Sequence, residues 1–152
     1  IVASDTDGNY LCVKQFRPGI RQVTTEFPAG GIEREDGKEY GSSQNGENAQ
    51  DISAEDAFDA AKRELLEETG YGNGVWKEFM QISPNPSTHT NITYCFLATD
   101  VEKISEQQLE DTENLTVHLL SLQEVKELLQ QGSIRQALMA APLWKYMAER
   151  II

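Results

Sequence analysis

The chain has 152 residues, 39% of them apolar, and its 25 Asp and Glu against 13 Lys and Arg give a formal net charge of −12. That length suits one domain whose single core buries about 70% of the surface that the unfolded chain exposes. The acidic balance argues against a duplex nucleic-acid partner, whose affinity would rest on Lys and Arg neutralising phosphates, but not against a small phosphorylated ligand, which needs only a few local cations. No apolar run approaches the ~18 residues of a membrane span and no leader pattern opens the chain, so the expectation is a cytoplasmic protein without a membrane partner. Cys12 and Cys95 each lie inside an apolar strand-like run and read as small buried hydrophobes in a reducing compartment. The chain starts directly on a strand at Ile1, without a methionine, which implies that residues ahead of it have been lost.

In chain order, Ile1 to Ser4 and residues 9–17 are expected as strands joined by the turn Asp5 to Gly8, which makes a hairpin. Pro18-Gly19 breaks the pattern, residues 21–27 resume it, and Pro28-Ala-Gly-Gly ends it. The tract 34–52 is dominated by Gly, Ser, Asn, Gln, Asp and Glu, with Tyr40 and Ile52 almost its only apolar residues, and reads as a solvated loop. Ser53 is a suitable N-cap for a helix that runs to Gly70, with Ala54, Phe58, Ala61 and Leu65 as its apolar stripe.

Residues 75–82, 91–99 and Leu115 to Leu120 are strand candidates, the first two separated by the Pro-rich segment Ser83 to Thr90. Ser121-Leu-Gln-Glu124 is a capping box that opens an amphipathic helix ending at Gly132. Ser133 is expected to cap a last helix, with Ile134, Leu138, Met139, Leu143 and Met147 facing the core and Pro142 kinking or interrupting it. Strands around one central helix, followed by two closing helices, imply a mixed sheet packed between helices, an α+β fold of the α/β/α sandwich type.

The most informative run is Arg63-Glu-Leu-Leu-Glu-Glu-Thr-Gly-Tyr71. On a helix, Glu64, Glu67 and Glu68 stand at i, i+3 and i+4 and share one face that borders the apolar stripe. Like charges so placed repel, and a hard divalent cation is the natural partner for them.

With Glu55 ahead of Arg63 and seven residues between them, this run resembles the signature of the Nudix hydrolases: Gly, five residues, Glu, seven residues, Arg-Glu-aliphatic-x-Glu-Glu-x-Gly-aliphatic. Tyr71 stands in the final aliphatic slot. Gly30 matches the box glycine, although 24 residues separate it from Glu55 where the family has five. The excess coincides with the polar tract 34–52, which therefore reads as an insertion; closing a longer loop costs only about 0.6 kcal/mol per doubling of its length. Ala49 is the rival position at the ungapped spacing.

The resemblance implies divalent-metal-dependent cleavage of a phosphate anhydride. It assigns Mg²⁺ or Mn²⁺ to Glu64, Glu67, Glu68 and the carbonyl of Ala29. Arg63 would orient the glutamates by ion pairing, while Gly30, Glu55 and Gly70 would shape the loop and the helix ends. The general base of relatives acting on ADP-ribose comes from an acidic loop, which Leu109 to Asn114 resembles; Glu113 is the first choice, with Glu110 and Asp111 behind it.

Gln15-Phe16-Arg17-Pro18 followed by Glu26-Phe27-Pro28-Ala29-Gly30 resembles the run ahead of the box in ADP-ribose pyrophosphatases, and Pro86, 15 positions after Tyr71, falls where that subgroup carries a proline. The implied substrate is ADP-ribose or another nucleoside diphosphate sugar. Arg17 would meet a phosphate oxygen, and Glu26 would accept from a ribose or base group or serve as a buried structural carboxylate. Relatives with this run are often dimers, which implies a homodimer. Two alternatives keep the fold: a ligand-sensing or interaction module without catalysis, and a hydrolase of another nucleotide. Outside the box, His89 reads as a loop residue, His118 as satisfied within the sheet, and Trp76 and Trp144 as core or interface residues, with Trp76 or Tyr40 as candidates to stack on adenine.

Overall fold

The computed structural model describes residues 1–32, 54–110 and 113–151. The tract 34–52, Ala49, the Ser53 cap, Tyr40 and Asp111 lie outside the described residues, and Glu55 is described only as part of a helix backbone. The elements in chain order are β1 (Val2–Asp5), β2 (Tyr10–Arg17), β3 (Gln22–Glu26), α1 (Ala54–Thr69), β4 (Tyr71–Gly72), β5 (Val75–Ile82), β6 (Thr93–Lys103), β7 (Leu115–Leu120), α2 (Leu122–Gln130) and α3 (Ala137–Ile151).

The sheet is mixed because β1 runs parallel to β6 while its other pairings are antiparallel. Strand β2 is the hub: β7 pairs along one edge, and β1 and β3 share the other. Asp5 sets the β1–β2 turn, its Oδ1 accepting from the amides of Asp7 and Asn9 at 3.0 and 2.8 Å.

Side chains alternate across a strand, and here both sets are buried. Val2, Tyr10 and Cys12 point to one side, where Val125 and Leu129 of α2 and Met139, Leu143 and Met147 of α3 cover them. Ala3 and Leu11 point to the other, against Leu65 of α1. The sandwich expected from the sequence is thus present. Cys12 and Cys95 are both free and buried, and burial pushes the Cys12 thiol up to about 12.

Three local expectations need correction. First, α3 begins at Ala137 and not after Ser133. The Ser133 amide donates to Leu128 O at 2.8 Å, closing the end of α2 together with Gly132, whose φ of +70° suits a glycine. The Gln136 carbonyl instead accepts the first amides of α3, from Met139 and Ala140. Second, α3 runs through Pro142 without interruption; the residue lies near the start of the helix and is buried. Third, Trp144 is 51% exposed, which removes the core half of its core-or-interface reading. Strand β4 and the extension of β6 to Lys103 were not legible in the sequence, since Gly, Asn and Asp dominate around them.

Candidate active site

Helix α1 is seated by Ala57, Ala61 and Leu65, all buried against the sheet. Glu68 continues that stripe one turn on, so its carboxylate enters the core and is only 3% exposed. The amide of Ala29, just after β3, donates to Glu68 Oε2 at 3.0 Å. Burial raises the Glu68 carboxyl to about 7; the Ala29 amide opposes that rise, while the charges of Glu64 and Glu113 add to it. Glu64 is raised too, first by burial, against the pull of Arg63 and with a push from Glu67 and Glu113.

Arg63 ties this face together. Its Nη1 lies 2.7 Å from Glu67 Oε2 and its Nη2 2.9 Å from Glu64 Oε1, and Nη2 also donates to the Gly31 carbonyl at 3.0 Å. One guanidinium thereby holds two carboxylates and the chain leaving β3. Gly30 packs directly on this group: a Cβ added there would sit 1.9 Å from Glu64 Cδ, so only glycine fits while Glu64 stays where it is.

The far end of α1 is fastened by the segment after β6. Gly70, at φ +73°, ends the helix, and a Cβ on it would lie 2.2 Å from Ser105 O. Its carbonyl accepts from the amides of Ile104 and Ser105; Gln107 Nε2 donates to Glu68 O at 2.6 Å, the Gln108 amide to Glu67 O at 2.8 Å, and Lys103 Nζ to Thr69 O at 3.0 Å. These donors satisfy carbonyls that a helix end leaves unpaired. Sequence reading missed them; a lysine placed to meet the negative end of a helix was the one available signal.

The same segment leads to Glu110 and Glu113. Glu113 closes a turn with Glu110, accepting its amide on Oε2 at 3.0 Å and donating its own amide to Glu110 O at 2.9 Å. The charge of Glu113 bears on both Glu64 and Glu68, which brings it to the carboxylate cluster; the Glu110 side chain is exposed.

Beside the cluster opens a cleft of about 280 Å³. Arg17, Ala29, Gly30 and Glu64 form its polar side, and Tyr94, Phe96, Leu138 and Met139 its apolar one. The α3 wall had no signal in the sequence beyond an ordinary core stripe. Gln136 also lines the cleft, and its Oε1 has no hydrogen-bond partner among the described residues. Arg17 pairs with Glu26 through two hydrogen bonds, and Thr24, on the same face of β3, donates to Glu26. Pro86 is exposed in the turn between β5 and β6 and is not part of the cleft lining. His89 is exposed and paired with Thr88, and His118 is paired with Thr116. Trp76 donates from Nε1 to Asn73 O and meets Phe58 edge-on.

As a cation site the donor chemistry fits a hard ion: carboxylate oxygens, two of whose carboxyls are raised first by burial and then by neighbouring like charges. Glu64 and Glu67 are paired with Arg63 and Glu68 with the Ala29 amide, and among the described residues no three His, Cys, Asp or Glu side chains converge on one point.

The NUDIX domain profile matches residues 1–141. An uncharacterized Nudix hydrolase of Schizosaccharomyces pombe is 34% identical over 132 residues, covering 82% of this chain and 55% of that protein. An ADP-ribose pyrophosphatase of Bacillus subtilis is 26% identical over 138 residues, covering 90% and 64%, and one of Saccharomyces cerevisiae is 31% identical over 131 residues, covering 80% and 48%. The matched region thus spans about half to two thirds of these relatives. Among solved structures, an ADP compounds hydrolase superposes with a TM-score of 0.70 at 20% identity, over 98% of this chain and 71% of that one. A hydrolase from Nitrosomonas europaea gives 0.59 at 21% identity, over 97% and 86%.

Proposed function

The chain belongs to the Nudix hydrolase family, and on that premise we propose that it cleaves the pyrophosphate bond of ADP-ribose or a related nucleoside diphosphate sugar, releasing a nucleoside monophosphate and a sugar phosphate. The observation that carries the reading is the junction of a carboxylate cluster, half-buried Glu64 and buried Glu68 under the charge of Glu113, with a cleft that Arg17 also lines. Two of the relatives are ADP-ribose pyrophosphatases, which supports the choice of substrate.

Glu64, Glu67, Glu68 and the Ala29 carbonyl would hold Mg²⁺ or Mn²⁺, which when bound supplies charge neutralisation for the diphosphate and activation of the attacking water. Arg63 keeps Glu64 and Glu67 in place. Glu113 takes the proton from the water as it attacks phosphorus, with Glu110 holding the turn that presents it. Arg17 meets oxygens of the phosphate, and the apolar wall of Tyr94, Phe96 and Met139 receives the nucleoside. The reading includes a homodimer, checked by sedimentation.

The test is incubation with ADP-ribose and Mg²⁺ or Mn²⁺, with AMP and ribose 5-phosphate as the expected products. A panel of sugar nucleotides, dinucleoside polyphosphates and nucleoside triphosphates then ranks substrates. Failure to cleave any nucleoside diphosphate compound with either metal present would remove the proposal.

A further inference from the structure

A guanidinium carries five N–H donors in one plane, so its Nε–Nη2 edge and its Nη1–Nη2 edge can each bind two oxygens. In this protein Glu26 occupies the first edge: Arg17 Nε donates to Oε1 at 2.9 Å and Nη2 to Oε2 at 2.6 Å. The Thr24 hydroxyl donates to Oε1 at 2.6 Å from the buried side. Both carboxylate oxygens are therefore engaged, and Glu26 is only 2% exposed. It is badly placed to touch a ligand itself.

The second edge of Arg17 is in the opposite condition. No described residue bonds to Nη1, the side chain is 40% exposed, and it lines the cleft together with Ala29, Gly30 and Glu64. A tetrahedral phosphate offers two oxygens at the spacing this fork requires. The hairpin register explains how the arginine is held. Arg17 and Gln22 are cross-strand partners, as are Gln15 and Thr24 and then Val13 and Glu26, so Arg17 reaches back along one face of the hairpin, past Thr24, to the glutamate. An arginine fixed along one edge has little freedom left to lose when a ligand meets the other.

We infer that Glu26, backed by Thr24, is a positioning residue that fixes Arg17 so that its Nη1–Nη2 edge grips two oxygens of the substrate's phosphate. This rests on the pyrophosphate-hydrolase reading above. Glu26 acts only through Arg17, and the consequence is energetic dependence of one residue on the other.

Steady-state kinetics with ADP-ribose and Mg²⁺, together with calorimetric binding of ADP in the same buffer, test it on Glu26→Gln, Arg17→Ala, the double variant and Thr24→Val. In Glu26→Gln an amide N–H₂ faces the guanidinium or the Thr24 hydroxyl, so the fork is released. The expected result is a rise in KM of about 10-fold or more, matched by weaker ADP binding, with kcat within about 2-fold of wild type. The double variant is expected to be no worse than Arg17→Ala, since a residue acting through another adds nothing once that other is gone. Thr24→Val is expected to move KM the same way by about 3-fold, and it decides the matter if Glu26→Gln fails to fold. Unchanged KM and ADP affinity in Glu26→Gln, or in Thr24→Val where that variant decides, would overturn the inference. So would multiplying effects in the double variant, or a loss of kcat at constant KM. Absence of ADP-ribose cleavage by the wild type strikes the proposed activity instead; ADP calorimetry still decides the positioning role.

Discussion

Glu26 on the hairpin and Glu68 on α1 are buried almost equally, at 2% and 3% exposure, yet their carboxyls shift in opposite directions. Burial by itself would raise both. At Glu26 the Arg17 and Thr24 hydrogen bonds and the Arg17 charge overcome that and hold the carboxyl below its usual range. At Glu68 one backbone amide is opposed by burial and two neighbouring carboxylates, and the group rises to about 7. The contrast separates a carboxylate whose hydrogen bonds and counter-charge outweigh its burial from one for which burial and neighbouring carboxylates outweigh them.

The sharpest way to break this contrast is Glu68→Gln, which removes the charge and keeps the shape. Turnover is expected to fall by about 100-fold or more, with circular dichroism unchanged; activity near wild type would show that Glu68 holds no metal. Next in size is the dependence of metal-free stability on pH. For Glu68 the folded value lies above the ordinary one, so its contribution is fully present below about 4.5 and is lost as pH rises through about 7. The metal-free protein is therefore expected to melt at a lower temperature at pH 8 than at pH 5.5, with Mg²⁺ restoring more at pH 8 than at pH 5.5. Glu26 works in the other sense: its contribution is present above the ordinary carboxylate range and disappears as pH falls through its depressed value. Metal at pH 8 without effect on the melting curve would remove the distinction between the two glutamates.

Gly30→Ala probes the packing between the two regions. The new Cβ displaces the Glu64 carboxylate, so kcat/KM is expected to drop about 10-fold through weaker metal affinity, while the flexible side chain moves aside and spares the fold. The smallest expected effect belongs to Gln107→Ala, which deletes the side-chain bond to Glu68 O and lowers stability by about 1 kcal/mol, measured by urea titration.

Much of this arrangement was readable before any coordinates. The α1 stripe, the Ser121 capping box, and strands β2, β5 and β7 announce themselves because each carries its own period or cap. The carboxylate face was legible because i, i+3 and i+4 positions on a helix are neighbours by geometry alone. What stayed hidden depends on contacts between distant segments. The sequence offers Arg17 to a phosphate and Glu26 either to the ligand or to the core, and only the β2–β3 register shows that the two hold one another. Ser133 resembled a cap but its amide is spent on α2, and the α3 side of the cleft comes from residues that otherwise read as core.

The segment from Lys103 to Gln108 links α1 to the acidic turn. Its amides and side chains are pinned to the last carbonyls of α1, and only a few residues further on stands Glu113. Helix and acidic turn are thus fastened together like two parts of one bracket. In hydrogen exchange the amides of Ile104, Ser105 and Gln108 are expected to open with α1 itself, as they would if Glu113 kept a fixed distance from the α1 carboxylates.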